Sequence, residues 1–563
     1  MRIESLLASA LLLATSPGCR HTAAASAAGL PQFPSSAELE RLAAAPATVP
    51  PPEPTRRVPS WTLAAPLPTQ IGSAPHERAS ATGALLAESL GPGVLLSAGM
   101  HCVAREYGRF WLAHAAMPAP ELATFILARC GEPVADLQVA IGHGDTPGAA
   151  DLSGPWRAGT EATLAKLPRS GVAVGAWSGE QDGRSVVVVV HGERTLELEP
   201  LPIDAGRDGI VELRGRFIIP VSGSSAHVTR GAYGFRECLA VPGTAAPRFR
   251  FRCAVDPADP TVFLELSTSA PGRLLSERAM IAMISPGQPA PDTHAARDLA
   301  RPATPMQGRG APALLAAIAG LRDALGMRPL RHAEAQSVVA GRLLPHYLAA
   351  SHNHDGRTAD LVALGMIAGW QVDGGTLRDG AFLGLELDGA ESVDLALEAA
   401  LMSPARRAAL LDPRSAAIAL AARDSGDGSQ AIVATYQFFE TLDLAASEQA
   451  ILDVLDRERA ALGRRPVIRV DGNSAPPLAA ARSKIHAGAD MNDALQVMLS
   501  DIVGKTGLAM RGLALHTTDL DSLQFPKDLL DAEHVQIDLD LSQHRPAGSP
   551  WGMFLVLFLY TDA

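Results

Sequence analysis

Aromatic residues make up only 4% of this 563-residue chain, although hydrophobic residues make up 47%. No stripe of basic residues interleaved with aromatics is recognised, and the formal net charge is −12. Both features argue against a nucleic-acid partner. No G-x-S-x-G elbow, P-loop or H-E-x-x-H run is present. That removes the sequence grounds for a strained nucleophile, a phosphate cradle or a helix-borne zinc pair. The five cysteines include no paired C-x2-C spacing, which excludes an ordinary four-cysteine metal site. The apolar runs at the N-terminus and at Met553–Tyr560 are both too short to cross a bilayer. The second of them reads as a central, fully buried strand.

What is present begins with one Arg followed by a short apolar run ending Ser16-Pro17-Gly18-Cys19. Residues 1–18 therefore read as a signal peptide. The last four resemble a bacterial lipobox, which implies lipid attachment at Cys19. Arg20 follows where Asp would suggest inner-membrane retention, so the expected location is the cell envelope, as an outer-membrane lipoprotein or a secreted protein. Residues 19–80 are rich in Ala, Pro and Ser and are expected to form a disordered tether. A second Pro-rich break, 286–310, is expected to be a linker.

Between the breaks, residues 83–285 read as a helical hairpin followed by an antiparallel β-sandwich. Apolar residues recur at helical intervals over 91–111 and 121–130. From about residue 170 short strands alternate with Gly, Asp and Pro. Four cysteines remain after Cys19, and an oxidising compartment allows them three pairings. Cys102–Cys130 is favoured because it ties two helices across the break at Pro118 and Pro120. Cys238–Cys253 is favoured because the pair flanks a turn-rich segment between two short strands.

Residues 311–440 carry a further pattern. Leu314, Leu315, Ile318 and Leu321 form an apolar helix face, followed by Arg322, Gly326, Pro329 and Leu330. Ser351, His352, Asp355, Gly356 and Thr358 come next, then Ser403-Pro404-Ala405-Arg406-Arg407, then an apolar strand at 431–439. This order resembles the CAP superfamily of cysteine-rich secretory proteins, antigen 5 and pathogenesis-related proteins. The resemblance implies an α-β-α sandwich and makes His352 the first histidine of the family's cavity. It also exposes losses. No Glu falls in Arg378–Gly384, Glu386 lies nearby but out of register, and Arg406 stands where the family has its second histidine. Arg stays protonated, so it repels a metal ion and cannot act as a general base.

Residues 451–466 echo residues 314–329, with Arg459, Gly463 and Pro466 in the places of Arg322, Gly326 and Pro329. Residues 445–563 therefore read as a second, divergent CAP-like unit. The fold class expected is multi-domain α+β: CAP-like α-β-α units behind an N-terminal helical and β-sandwich region. His352, His354 and Asp355 are the candidate metal ligands, against the competing reading of a polar loop over a partly open pocket. His352 is the sole catalytic candidate, and no cofactor is expected. The function expected is binding or structure at the envelope, with a lipid, a glycan or an envelope protein as ligand. The alternative is an extracytoplasmic hydrolase, or a metal- or lipid-binding CAP protein, that uses His352.

Overall fold

The computed structural model describes residues 34–49, 55–64, 67–72, 94–135, 137–144, 171–241, 243–271, 276–295, 310–353, 355–366, 377–388, 393–425, 428–439, 444–470, 475–506, 510–517, 520, 523, 525–544 and 552–562. The signal peptide, Cys19 and His354 lie outside them. The chain is a multi-domain α+β protein built from several small sheets.

The first unit comprises β1 (Val94–Leu96), α1 (Ala98–His114), α2 (Pro120–Arg129), β2 (Gln138–Gly144), β3 (Val172–Gln181) and β4 (Arg184–Glu193). The Ser97 side chain caps α1, and Pro120 opens α2 where its missing N–H costs nothing. The sheet order is β1-β3-β4-β2, with β1 parallel to β3 and the other pairs antiparallel. The Cys102–Cys130 disulfide joins the two helical segments across a Cα–Cα distance of 5.7 Å.

The sandwich follows: β5 (Leu196–Leu198), β6 (Ile210–Phe217), β7 (Gly223–Arg230), β8 (Gly234–Glu237), β9 (Leu239–Ala240), β10 (Arg248–Ala254), β11 (Val262–Ser269) and β12 (Glu277–Ile284). Two sheets, β9-β10-β6-β5 and β8-β7-β11-β12, face each other across Leu213, Phe249, Phe251 and Leu264. Cys238 and Cys253 are bridged at its edge. The sequence reading puts the strands at 172–193 into this sandwich. The structure instead hydrogen-bonds them to β1 and β2, beneath α1 and α2. Strand propensity cannot distinguish the two, because both sets are short, apolar and antiparallel.

The middle unit has α3 (Gly310–Ala324), β13 (Arg331–His332), α4 (Glu334–His352), α5 (Gly356–Leu364), β14 (Leu377–Asp388), α6 (Val393–Ala400), α7 (Pro404–Leu411), β15 (Ala417–Ser425) and β16 (Gly428–Phe438). Alternation along β15 sends Ala417, Ala419 and Ala421 towards α4 and α5, and Ile418 and Leu420 towards α3, α6 and α7. Helices therefore cover both faces. The last unit has α8 (Leu444–Ala461), β17 (Ile468–Arg469), α9 (Ala475–His486), α10 (Met491–Thr506), β18 (Arg511–Thr517), α11 (Lys527–Asp531), β19 (Val535–His544) and β20 (Met553–Asp562). Its sheet is likewise layered, with α8 and α11 on one face and α9 and α10 on the other.

All three α/β units share one topology. The orders β1-β3-β4-β2, β13-β15-β16-β14 and β17-β19-β20-β18 each have the short first strand parallel and the rest antiparallel. The register aligns them residue by residue. The amides of Ser97, Ala333 and Val470 donate to the carbonyls of Val174, Ile418 and Ile537 at 3.0, 2.8 and 2.9 Å.

The described parts of the expected tether, 34–49, 55–64 and 67–72, form a strap. Helix Ser36–Ala44 starts in a reciprocal capping box between Ser35 and Glu38. Its Leu39 is fully buried against the middle unit, worth about 2 kcal/mol of apolar burial. A Cβ on Gly365 would lie 2.5 Å from Leu39, so glycine there admits the strap. Further on, Thr55–Arg56, Ser60–Thr62 and Gln70–Ile71 pair with Met117–Pro118, Thr293–Ala295 and Leu201–Pro202. The Pro-rich composition hides these short pairings, and Thr293–Ala295 lies inside the expected linker.

Candidate functional site

The sequence candidates do not converge. His352 is the exposed last residue of α4. Asp355 caps α5, accepting from the Thr358 amide at 3.2 Å and its hydroxyl at 2.7 Å. Those bonds hold the Asp355 carboxyl below its ordinary value. Among the described residues no three His, Cys, Asp or Glu side chains are arranged to hold a metal ion.

The Ser403–Arg407 segment is a joint between units. Ser403 Oγ donates to buried Glu265 of β11 at 2.5 Å, and the Ala405 amide donates to the same carboxylate at 3.4 Å. Arg278 of β12 pairs with Glu265 at 3.1 Å. Burial works to raise the Glu265 carboxyl, but Arg278, Ser403 and Arg406 outweigh it and hold it below its ordinary value. Arg407, itself buried, donates to the carbonyls of Gly231 and Gly234 in the β7–β8 turn. Arg406 thus contributes charge to a joint with the sandwich.

Beside this joint lies a cavity of about 450 Å³, within the range of small-molecule sites. Glu121 and Phe125 of α2 form one wall, Tyr233 and Phe263 of the sandwich another. Glu398, Met402 and Arg407 of the middle unit close the third side, with His294 between. Arg57 of the strap ties the glutamates together, reaching Glu121 Oε1 and Glu398 Oε2 at 3.0 Å each. Three folded units and the strap therefore meet at one amphipathic hollow.

A second cluster, missed in the sequence, lies in the last unit. His544 Nε2 is 2.7 Å from His516 Nε2, and the His486 ring stacks on His544 at 4.5 Å. His486 Nε2 also meets Ser542 Oγ at 3.1 Å. Burial, together with the neighbouring rings, holds His516 and His544 down to about 4. On the same face of β19, Asp540 pairs with Arg482 of α9 at 2.5 Å. Burial raises the Asp540 carboxyl in spite of Arg482. The buried Oδ2 atoms of Asp538 and Asp540 meet no hydrogen-bond partner among the described residues.

The register shows how unusual this is. Asp538, Asp540, Ser542 and His544 occupy the positions of Ala419, Ala421, Arg423 and Ser425 in the middle unit. Buried carboxylates cost several kcal/mol more than alanines unless well paired. His516 takes the strand position of Glu386 in the middle unit and His143 in the first. The helices α1, α4 and α9 each end on a histidine, His114, His352 and His486. Only spacing by sheet register reveals the pattern.

No protein-family model and no curated protein matches the chain. One similar solved structure is a cysteine-rich secretory protein from Staphylococcus aureus, 10% identical, covering 47% of this chain and 85% of that one, with a TM-score of 0.15. A score that low carries no argument.

Proposed function

We propose that this chain is an exported, lipid-anchored envelope protein, built on CAP-like units, that binds a small amphipathic ligand without turning it over. The observation that carries the reading is the cavity of about 450 Å³ where three folded units meet. Its aromatic and Met402 walls suit an apolar body, and its Glu121, Glu398 and Arg407 rim suits a polar head. Sites between units are common places for such ligands. The S-P-x-R-R segment supports a binding role, because it braces the sandwich in place of supplying a second imidazole. Lipid attachment at Cys19 would hold this body at a membrane.

The test is native mass spectrometry of the full chain purified from its own envelope. A bound small molecule is expected, and it should be lost when Met402→Trp fills the cavity. A chain that carries nothing, or keeps its ligand in that variant, overturns the reading.

A second reading is an extracytoplasmic hydrolase. It is favoured by the geometry of His486, His516 and His544, which gather three imidazoles beside Ser542, although burial makes His516 and His544 weak bases. This moves the catalytic candidate from His352 to the last unit. Ester hydrolysis abolished by His544→Ala, but not by His352→Ala, would establish it.

A further inference from the structure

We infer that the outer face of the β9-β10-β6-β5 sheet lies on an anionic lipid surface. Along β10, Phe249 and Phe251 point into the sandwich core while Arg248, Arg250 and Arg252 point outward. This R-F-R-F-R run is a basic stripe interleaved with aromatics, which the sequence reading passed over. The two phenylalanines are 4% exposed, so neither can stack on a nucleic-acid base. On β6, Arg214 and Arg216 project from the same outer face. The side chains of Arg214, Arg216 and Arg250 are 46, 61 and 44% exposed.

The register puts like charges together. Arg214 stands directly opposite Arg250, and Arg216 directly opposite Arg248. Such pairs destabilise a sheet, so stability alone does not account for them. Glu212 relieves the first by bonding both Arg214 and Arg250, and Glu197 bonds Arg216 at 2.6 Å. The acids lie towards the β5 side, where Glu199 also sits. The outward residues of β10 within Arg248–Arg252 are all arginine, with Glu212 of β6 opposite Arg252, on a chain whose net charge is −12.

Aliphatic side chains on the same face choose among anionic partners. Leu239 of β9, 75% exposed, is paired with Arg252 across the strands. Ile210 at the start of β6 and Ile218 just past its end are 37 and 38% exposed. A soluble polyanion offers these side chains nothing. A membrane interface offers phosphates to the arginines and acyl carbon to the Leu and Ile tips. The surface is built from the sandwich and makes no use of the cavity between units.

Co-sedimentation of the full chain carrying Cys19→Ser, to which no acyl group can attach, tests this. Binding is expected to phosphatidylcholine vesicles containing phosphatidylglycerol, weakening as salt rises, with none to phosphatidylcholine alone. Each arginine removed should cost roughly fivefold in affinity, so Arg248→Ala with Arg252→Ala should cost about 25-fold. Leu239→Ser should weaken binding even at high salt. Arg248 faces Arg216, so Arg248→Ala should melt no lower than the parent, whereas Arg252 faces Glu212 and its removal can lower the melt. If the double variant melts lower, Arg248→Glu alone, which sets an acid opposite Arg216, decides, and its full affinity overturns the inference. Equal binding to neutral vesicles, no vesicle binding, or capture by heparin without vesicle binding also overturns it.

Discussion

Arg322 and Arg459 are the same residue in two successive units. Both are fully buried, and each sends Nε to the carbonyl six residues ahead, at Arg328 and Arg465. Arg322 then reaches the carbonyls of Leu410, Asp412 and Ser415, and Arg459 those of Leu529, Leu530 and Ala532. Each guanidinium thereby fastens the first helix of its unit to the segment that enters the sheet. Its charge is solvated by backbone dipoles in place of water.

The planar fork is what these carbonyls require. Arg322→Lys is expected to fail almost as badly as Arg322→Met, because one ammonium cannot reach three directions. Either change strands buried carbonyls and should cost about 3–5 kcal/mol. Arg459 variants should cost the same in the last unit. Denaturant unfolding monitored unit by unit, with the exposed Arg328→Ala as control, measures this.

Arg57 is expected to matter for the assembly more than for any single unit. Its guanidinium bonds both Glu121 and Glu398, which are buried in different units. Arg57→Met takes a guanidinium from both carboxylates, at a cost of about 3 kcal/mol. In a Glu121→Gln, Glu398→Gln background the charges it pairs with are gone, so the same change should cost little. Thermal melts of the four proteins check it. An equally large deficit in that background would show that the pairing is not the cause.

Much of the scaffold is written in local chemistry. The apolar face of α3 and the Gly326 and Pro329 stops mark a helix and its end, and the same marks at Gly463 and Pro466 disclose the repeat. The first unit is harder to read, because the valine run Val186–Val190 suits a sandwich strand as well as a sheet under helices. Which sheet it joins is decided by distant pairing with Gln138–His191 register, not by propensity. Ser403–Arg407 looks like a cavity wall until Glu265 is seen to sit on it from another unit. His486, His516 and His544 come from a helix end and two strand ends, so no spacing rule unites them. A Ser35 and Glu38 capping box opens the strap helix, a pairing that the Ala- and Pro-rich composition masks.

The Glu265 joint should be sensitive to acid. Its carboxyl is held below the ordinary 4.5, so its contribution is fully present above that pH and is lost as pH falls through the lower folded value. Glu265→Gln keeps an acceptor for Ser403 but removes the buried carboxylate that Arg278 pairs with, at an expected cost of about 2 kcal/mol at neutral pH. Proteolysis near the 403–407 segment should speed up in the variant. Unchanged proteolysis and melting would remove the joint from the account.

The histidine trio titrates in a different window. Unfolded imidazoles take protons near 6.5, whereas His516 and His544 in the fold take them only near 4. The unfolded chain therefore binds more protons between these values, and acidification there favours unfolding. Stability attributable to the trio is complete above pH 6.5 and falls as pH drops to 4. Arg482 adds to the penalty by repelling a charged His486, while Asp540, whose carboxyl is raised, attracts it and softens the fall. His516→Asn removes one of the two most depressed rings and should flatten the decline in melting temperature between pH 6.5 and 4 without moving the loss below 4.5 assigned to Glu265. Should the two profiles coincide, the acid sensitivity arises elsewhere, and the close Nε2 contact between His516 and His544 is a packing feature with no charge to control.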